Sequence, residues 1–217
     1  MAQLFSSSLF FLIALLCGAA SVASPAEAAS TDPMATADWK QGIVVLDTKE
    51  VLSGEVHYDS RHDLVLLRSD TDQRVSVYTV HQVQSFRYYD PQENIIHRFL
   101  AVDNSRTPYS VRNFYEVVSE GDVLYLRRRN RCALDPPPGS SVHTVAYNYF
   151  AYYRGLLVRS HQFERVLLPI LAEAHPFLLP HIKEHRLKPY QVGDQIVLIN
   201  YFNSRSPVSV ANVSLSR

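Results

Sequence analysis

Cysteine is scarce in this chain: Cys17 and Cys132 are the only two in 217 residues. Cys17 falls in a segment expected to be removed, so no internal disulfide is available and the fold must be held by its core, which a composition 47% hydrophobic can supply. Cys132, beside Arg131, reads as a free thiol. Glycine is scarce too, at seven residues. The chain contains no phosphate-cradling glycine loop and no Gly-x-Ser-x-Gly elbow, which removes the common nucleotide-binding and serine-hydrolase signatures. Neither sign of charge is in surplus: 21 basic residues face 21 acidic ones, and removing residues 1–28, which contain Glu27, leaves 21 minus 20, or +1. A dedicated nucleic-acid binder carries a basic excess, so nucleic acid is excluded as the expected partner. Lys and Arg are absent from Met1 to Leu9.

What the N-terminus does have is an apolar run from Leu9 to Cys17. It is the length of a signal-peptide core and short of the roughly 20 residues that span a bilayer. Small-residue cleavage sites follow at Ser21-Val22-Ala23 and Ala26-Glu27-Ala28. Residues 1–28 are therefore expected to be a signal peptide cut after Ala23 or Ala28, and 29–38 a flexible leader. Leu16 stands directly before Cys17, where lipid attachment requires a small residue. The mature chain of 189 residues is expected to be exported (periplasmic, outer-membrane associated or secreted) with no transmembrane helix.

From Trp39 to Arg128 the chain is a series of short segments with period-2 alternation. Leu52, Gly54, Val56 and Tyr58 share one face while Ser53, Glu55 and His57 share the other, as in a half-buried strand. Similar segments occur at 42–47, 63–68, 75–77, 83–89, 94–102, 109–119 and 122–128, giving about eight strands. Polar clusters such as Asp59-Ser60-Arg61-His62 and Asp90-Pro91-Gln92-Glu93 separate them, with turn-forming chemistry. Connections this short favour antiparallel pairing, because parallel crossovers need a dozen or more residues. The expected fold class is α+β, mainly β: an antiparallel small barrel or sandwich over 39–131, followed by a β-hairpin and two to three short helices.

Arg127-Arg128-Arg129-Asn130-Arg131 reads as the solvated end of the last strand, with an anion grip as the functional alternative. A Pro-rich linker, 132–141, follows, and 142–204 is expected to hold the hairpin and helices. Tyr147, Tyr149 and Tyr153 alternate with Phe150 and Tyr152, Gly155 marks the turn, and Leu156 to Arg159 returns. Phe163, Val166, Leu167, Ile170, Leu171 and Ala174 form a helical stripe with Ser160 as its N-cap and Pro169 splitting or kinking it after Leu168. A second helix is expected over Pro176 to Arg186 with Leu178, Leu179 and Ile182 inward. Residues 192–203 fit either helix or strand, and 205–217 is expected to be a disordered tail.

The strand pair Gly42-Ile43-Val44 and Gly54-Glu55-Val56-His57-Tyr58, with the closing run from Asp194 to Ser204, resembles a group of uncharacterised bacterial exported proteins with an N-terminal β module and a short helical C-terminal region. The resemblance spans most of 39–204. It implies that the final element is helical and carries no activity with it.

One catalytic pattern stands out. His181, Glu184 and His185 spell H-x-x-E-H, in which two histidines one helical turn apart bind zinc and the glutamate activates water. A third ligand is needed, and Asp194 is the only acidic residue beyond His185. The remaining histidines, His57, His62, His81, His97, His143, His161 and His175, lack ligand spacing and read as half-buried structural residues. No cofactor and no catalytic residue is assigned. The leading expectation is a non-enzymatic structural or interaction module of the cell envelope, with an envelope protein or glycan as partner. The alternatives are a zinc-dependent hydrolase at 181–185 and a carbohydrate- or peptide-binding module using some of the 13 tyrosines.

Overall fold

A computed structural model of the protein describes residues 38–71, 73–104, 111–130 and 146–206. The expected signal peptide, all but Asp38 of the leader, the Pro-rich linker and both cysteines lie outside them. Ten strands are formed among the described residues: β1 (Lys40–Leu46), β2 (Val51–Asp59), β3 (Leu64–Ser69), β4 (Val75–Thr79), β5 (Val83–Asp90), β6 (Ile95–Asn104), β7 (Val111–Ser119), β8 (Leu124–Arg129), β9 (Tyr147–Tyr153) and β10 (Leu156–Arg159). They make one sheet in the order β10-β9-β8-β7-β6-β5-β1-β2-β3-β4, and every pairing is antiparallel. The mainly-β α+β class is as the alternation implies, and the described part of 39–131 holds eight strands.

The order contains one departure from a simple meander. Strands β4 and β5 are joined by only Val80, His81 and Gln82, yet β5 pairs with β1 and not with β4. Gln82 is held to Thr79 by backbone and side-chain bonds, and its carbonyl accepts the Asp47 amide from the β1–β2 turn at 2.9 Å. The chain is thereby handed to the free edge of β1. At the other end of the sheet, the β9–β10 turn is Arg154-Gly155 with φ of 47° and 80°, the positive values that a two-residue hairpin matching strand twist requires. Because β9 pairs with β8, the hairpin extends the same sheet that the first eight strands form.

One face of this sheet carries two apolar clusters. Val44, Val56, Val65, Leu67, Phe86, Phe99 and Phe114 form the first, within the β1–β7 half. The second joins Val123, Tyr125, Ala151, Tyr153 and Val158 to the C-terminal helices. Val102, Tyr115 and Leu126, with Phe150 and Tyr152 against them, make a smaller cluster on the opposite face, as the odd and even positions of β9 dictate. Burying each of the larger side chains stabilises the fold by about 1.5–3 kcal/mol.

The helices differ from expectation in detail. Ser160 does not cap a helix: it opens a 3-10 turn, Ser160–Gln162, and its hydroxyl donates to Gln195 Oε1 at 2.9 Å instead. A π-helical turn, Phe163–Leu167, then leads into α1 (Leu168–Ala174), so the division falls one residue before the expected one. The Leu168 amide reaches back to the Phe163 carbonyl, five residues away, and the widened turn places Pro169 in the first turn of α1, where its missing N–H is tolerated. In α2 (Leu178–Glu184), Leu178 is buried and Ile182 packs against the cluster, but Leu179 points outward, about 100° around the helix from Leu178. The ambiguous segment is helical: α3 spans Val192–Arg205 and buries Gln195, Leu198, Ile199 and Phe202 at three- and four-residue spacing. Arg205, expected to begin the tail, is therefore the last helical residue.

The arginine block is also corrected. Strand β8 is interior, since β9 pairs with it, and its arginines alternate between faces and are bound on both. Arg127 grips Glu116, Arg128 bonds Asp63 Oδ2 at 2.6 Å, and Arg129 is the exposed member among those described.

Candidate functional site

Between the two clusters, the same sheet face carries a row of polar and ring side chains. Register explains how residues far apart in sequence meet there. Gly42 faces Tyr88, Tyr88 faces His97, Phe99 faces Glu116, Glu116 faces Arg127, and Arg127 faces Tyr149. Since side chains two residues apart on a strand share a face, Lys40, Tyr88, Asp90, His97, Glu116, Arg127 and Tyr149 line up across β1, β5, β6, β7, β8 and β9.

Glu116 is the hub and is buried. Arg127 donates to it twice, Nε to Oε2 and Nη2 to Oε1, each at 2.6 Å, and His97 Nδ1 donates to Oε1 at 2.7 Å. The planar fork of arginine matches a carboxylate in this bidentate way. The hydrogen bonds it donates to Glu116 raise the Arg127 guanidinium above its ordinary range, and the guanidinium also lies 4.6 Å from the centre of the Tyr147 ring. At the other end of the row Lys40 bonds Asp90 and stands 3.0 Å from Asp38. Burial alone would lower the Lys40 ammonium, but its bonds to Asp90 and Asp38 outweigh burial and raise it. The bond from Lys40 holds the Asp90 carboxyl below the usual carboxylate range. Burial pushes the Tyr88 hydroxyl between them up to about 12.

The β5–β6 hairpin closes this end of the row. Asp90 Oδ1 accepts the Gln92 amide at 2.9 Å, which forms the turn, and the turn sets Glu93 beside His97, whose Nε2 lies 3.4 Å from the Glu93 carboxylate. One ligand atom from each of Asp90, Glu93 and His97 falls within a 4.8 Å set. Sequence reasoning placed His97 among the scattered histidines because its neighbours in space come from β5, β7 and β8. The one signal available was Asp90-x-x-Glu93-x-x-x-His97 on either side of a turn.

The H-x-x-E-H pattern lies elsewhere, on α2. The rings of His181 and His185 are 4.3 Å apart, as one helical turn places them, and the His181 ring stacks flat on Tyr201 of α3 at 3.7 Å. Partial burial and then the neighbouring His185 charge lower the His181 imidazole. Glu184 and His185 are exposed. Asp194, the only acidic residue beyond His185, accepts the Lys188 amide at 2.7 Å and so fixes the turn before α3.

Sequence reasoning also missed Gln195, which is fully buried within the apolar Ile-Val-Leu-Ile context of α3. Its Oε1 accepts from Tyr125 Oη at 2.7 Å and from Ser160 Oγ, and its Nε2 donates to the carbonyls of Ser160 and Pro189 at 3.0 and 2.7 Å. The amide is satisfied on both sides and ties α3 to β8 and to the turn before the π-helical segment. Gln195→Leu, although more apolar, is expected to cost about 2 kcal/mol, because it strands those buried partners. Urea unfolding of the variant checks this, and a stability equal to wild type would contradict it.

A second ion pair gives a pH signature. Arg112 of β7 forks onto Asp47 at 2.7 and 2.9 Å and holds the Asp47 carboxyl below its ordinary 3.8. A depressed carboxyl contributes stability above its unfolded value, and that contribution disappears as the pH falls through the lower folded value. Between about pH 4 and 2 the melting temperature of wild type is expected to fall more steeply than that of Asp47→Asn, with parallel curves above about pH 5. Asp47 is partly exposed, so solvent screening keeps the difference small.

Comparison of the chain with protein-family models, curated proteins and solved structures gives no match. Among the described residues, no helix is long and apolar enough to cross a membrane.

Proposed function

We propose that the mature chain is an exported, non-enzymatic interaction module of the cell envelope. The observation that carries the reading is the division of labour between its side chains. The charges of the sheet are largely turned on one another, in Lys40–Asp90, Glu116–Arg127, Asp63–Arg128 and Asp47–Arg112. Large apolar side chains are meanwhile left exposed, Phe177 at 66%, Tyr190 at 63% and Leu179 at 48% on the helical end, and Val51 at 60% and Ile96 at 58% on the sheet. Exposed aromatic and aliphatic groups of this kind are what a protein partner buries. The apolar run at residues 9–17 supports export.

The β1–β7 half is read as a partly closed barrel in place of a flat sandwich layer. The three-residue β4–β5 connection supports this, because it can span at most about 14 Å while bridging strands four positions apart in the sheet. Side chains of β3 and β7 also meet in one cluster, and Arg128 of β8 reaches Asp63 in the β2–β3 turn.

Cell fractionation with a photo-crosslinking residue at position 177 or 190 tests the functional reading. Processing of the N-terminus and a discrete crosslinked envelope partner support it, and retention of the unprocessed chain in the cytosol contradicts it. A glycan-binding reading rests on Tyr147, 36% exposed and seated against the Arg127 guanidinium. It requires saturable binding of envelope polysaccharide that Tyr147→Ala abolishes.

A further inference from the structure

We propose that Asp90, Glu93 and His97 form a binding site for a divalent transition-metal cation of the zinc type, held on the β5–β6 hairpin. This goes beyond the interaction-module reading and does not rest on it. The ligand atoms of the three side chains already lie within 4.8 Å of one another. Zinc ligands at roughly 2.0–2.2 Å in tetrahedral geometry stand about 3.5 Å apart, so contraction by about 1 Å completes the set. Glu93 can supply that movement, because its side chain is 62% exposed while His97 is 10% exposed.

The orientation of His97 is what singles this cluster out. Its Nδ1 donates to Glu116, whose carboxylate is fixed by the Arg127 fork. The other ring nitrogen, Nε2, is thereby turned toward the hairpin tip, where it lies 3.4 Å from the Glu93 carboxylate. A carboxylate that orients an imidazole through its far nitrogen is also the usual arrangement behind a metal-bound histidine. One imidazole with two carboxylates suits a first-row divalent ion, and calcium, which takes six to eight oxygen ligands, is poorly served.

Lys40 is the resident counter-charge of Asp90, and it also has Asp38 as a partner. An incoming cation competes with its ammonium for the Asp90 carboxylate. The three protein ligands leave a fourth position for water or for a group from a binding partner. Bound there, the ion fastens the hairpin tip to the polar row of the sheet.

Calorimetric titration of the mature chain with zinc chloride, with calcium chloride as control, tests the site. The expected result is one zinc per chain with a dissociation constant on the order of micromolar, and calcium binding at least about tenfold weaker. Glu93→Gln and His97→Gln are each expected to weaken zinc binding at least about tenfold, while Lys40→Met tightens it. Glu93 lies in an exposed turn, so its variant keeps the fold, which an unchanged melting temperature without zinc verifies. Zinc is expected to raise the melting temperature of wild type and not of Glu93→Gln. The double variant His181→Ala with His185→Ala is expected to bind as wild type does. The proposal is overturned if zinc binds no tighter than about 1 mM, if binding survives both Glu93→Gln and His97→Gln, or if it is lost only in the double variant on α2.

Discussion

Glu116→Ala is expected to destabilise the protein by about 3 kcal/mol, because it removes the one anion that neutralises Arg127 and orients His97 while leaving both in place. The Glu116 side chain is 10% exposed and that of Arg127 27%, so water can reach the guanidinium only in part. Breaking one side of a buried pair strands the other charge in a poorly solvated site, and that penalty exceeds the net worth of the pair itself. For a chain of this size the melting temperature should fall by about 6–12 °C. Glu116→Leu with Arg127→Leu removes both charges together and is expected to cost less than the single change. Equilibrium unfolding in urea of the three proteins reads the comparison. A single variant within about 0.5 kcal/mol of wild type would show the row to be solvated and not a buried strut.

Gly54→Ala is expected to be at least as damaging, at about 3 kcal/mol or more, for a reason in the backbone and not in charge. Gly42 and Gly54 face one another across β1 and β2. A Cβ at Gly54 would stand 2.2 Å from the Arg68 carbonyl oxygen of β3, and one at Gly42 would stand 2.4 Å from the Arg87 carbonyl oxygen of β5. Gly54 also has φ of +155°, which an L side chain seldom adopts. Both obstacles are main-chain atoms of neighbouring strands, so relief requires the sheet itself to shift. The facing glycines leave room for the β3 and β5 backbones beside β2 and β1, and alanine at position 54 takes that room away. Loss of the cooperative thermal transition, or a midpoint lowered by more than about 6 °C, is the expected readout. An unaltered transition would mean the close approach is absent.

The strands were legible in the sequence wherever one face is buried and the other wet. Leu52, Gly54, Val56 and Tyr58 do face the first cluster, and Tyr149 and Tyr153 face the second while Phe150 and Tyr152 turn away. Their alternation is a local property, visible without knowing the partner strand. Strand order is not local. The short β4–β5 connection reads as a hairpin, and only the pinning of Gln82 by Thr79 and Asp47 diverts β5 to β1. The polar row was hidden for the same reason, because Lys40, Asp90, Glu116 and Arg127 are brought together by register alone. Gln195 was hidden differently: a buried amide looks like any surface polar residue until its four partners are placed around it. Pro169 did announce the break in its helix, but the position depended on a π-helical turn that the apolar stripe does not encode.

The central structural claim is that β1 lies between β2 and β5, since both the polar row and the placement of the two clusters follow from that register. Cross-strand backbone nuclear Overhauser effects in the labelled mature protein test it most directly. Strand β1 should show contacts to two partners, Val44 to Leu52 on one side and Val44 to Phe86 on the other. Contacts from β5 to β4, with none from β5 to β1, would make the chain a simple meander and contradict the account.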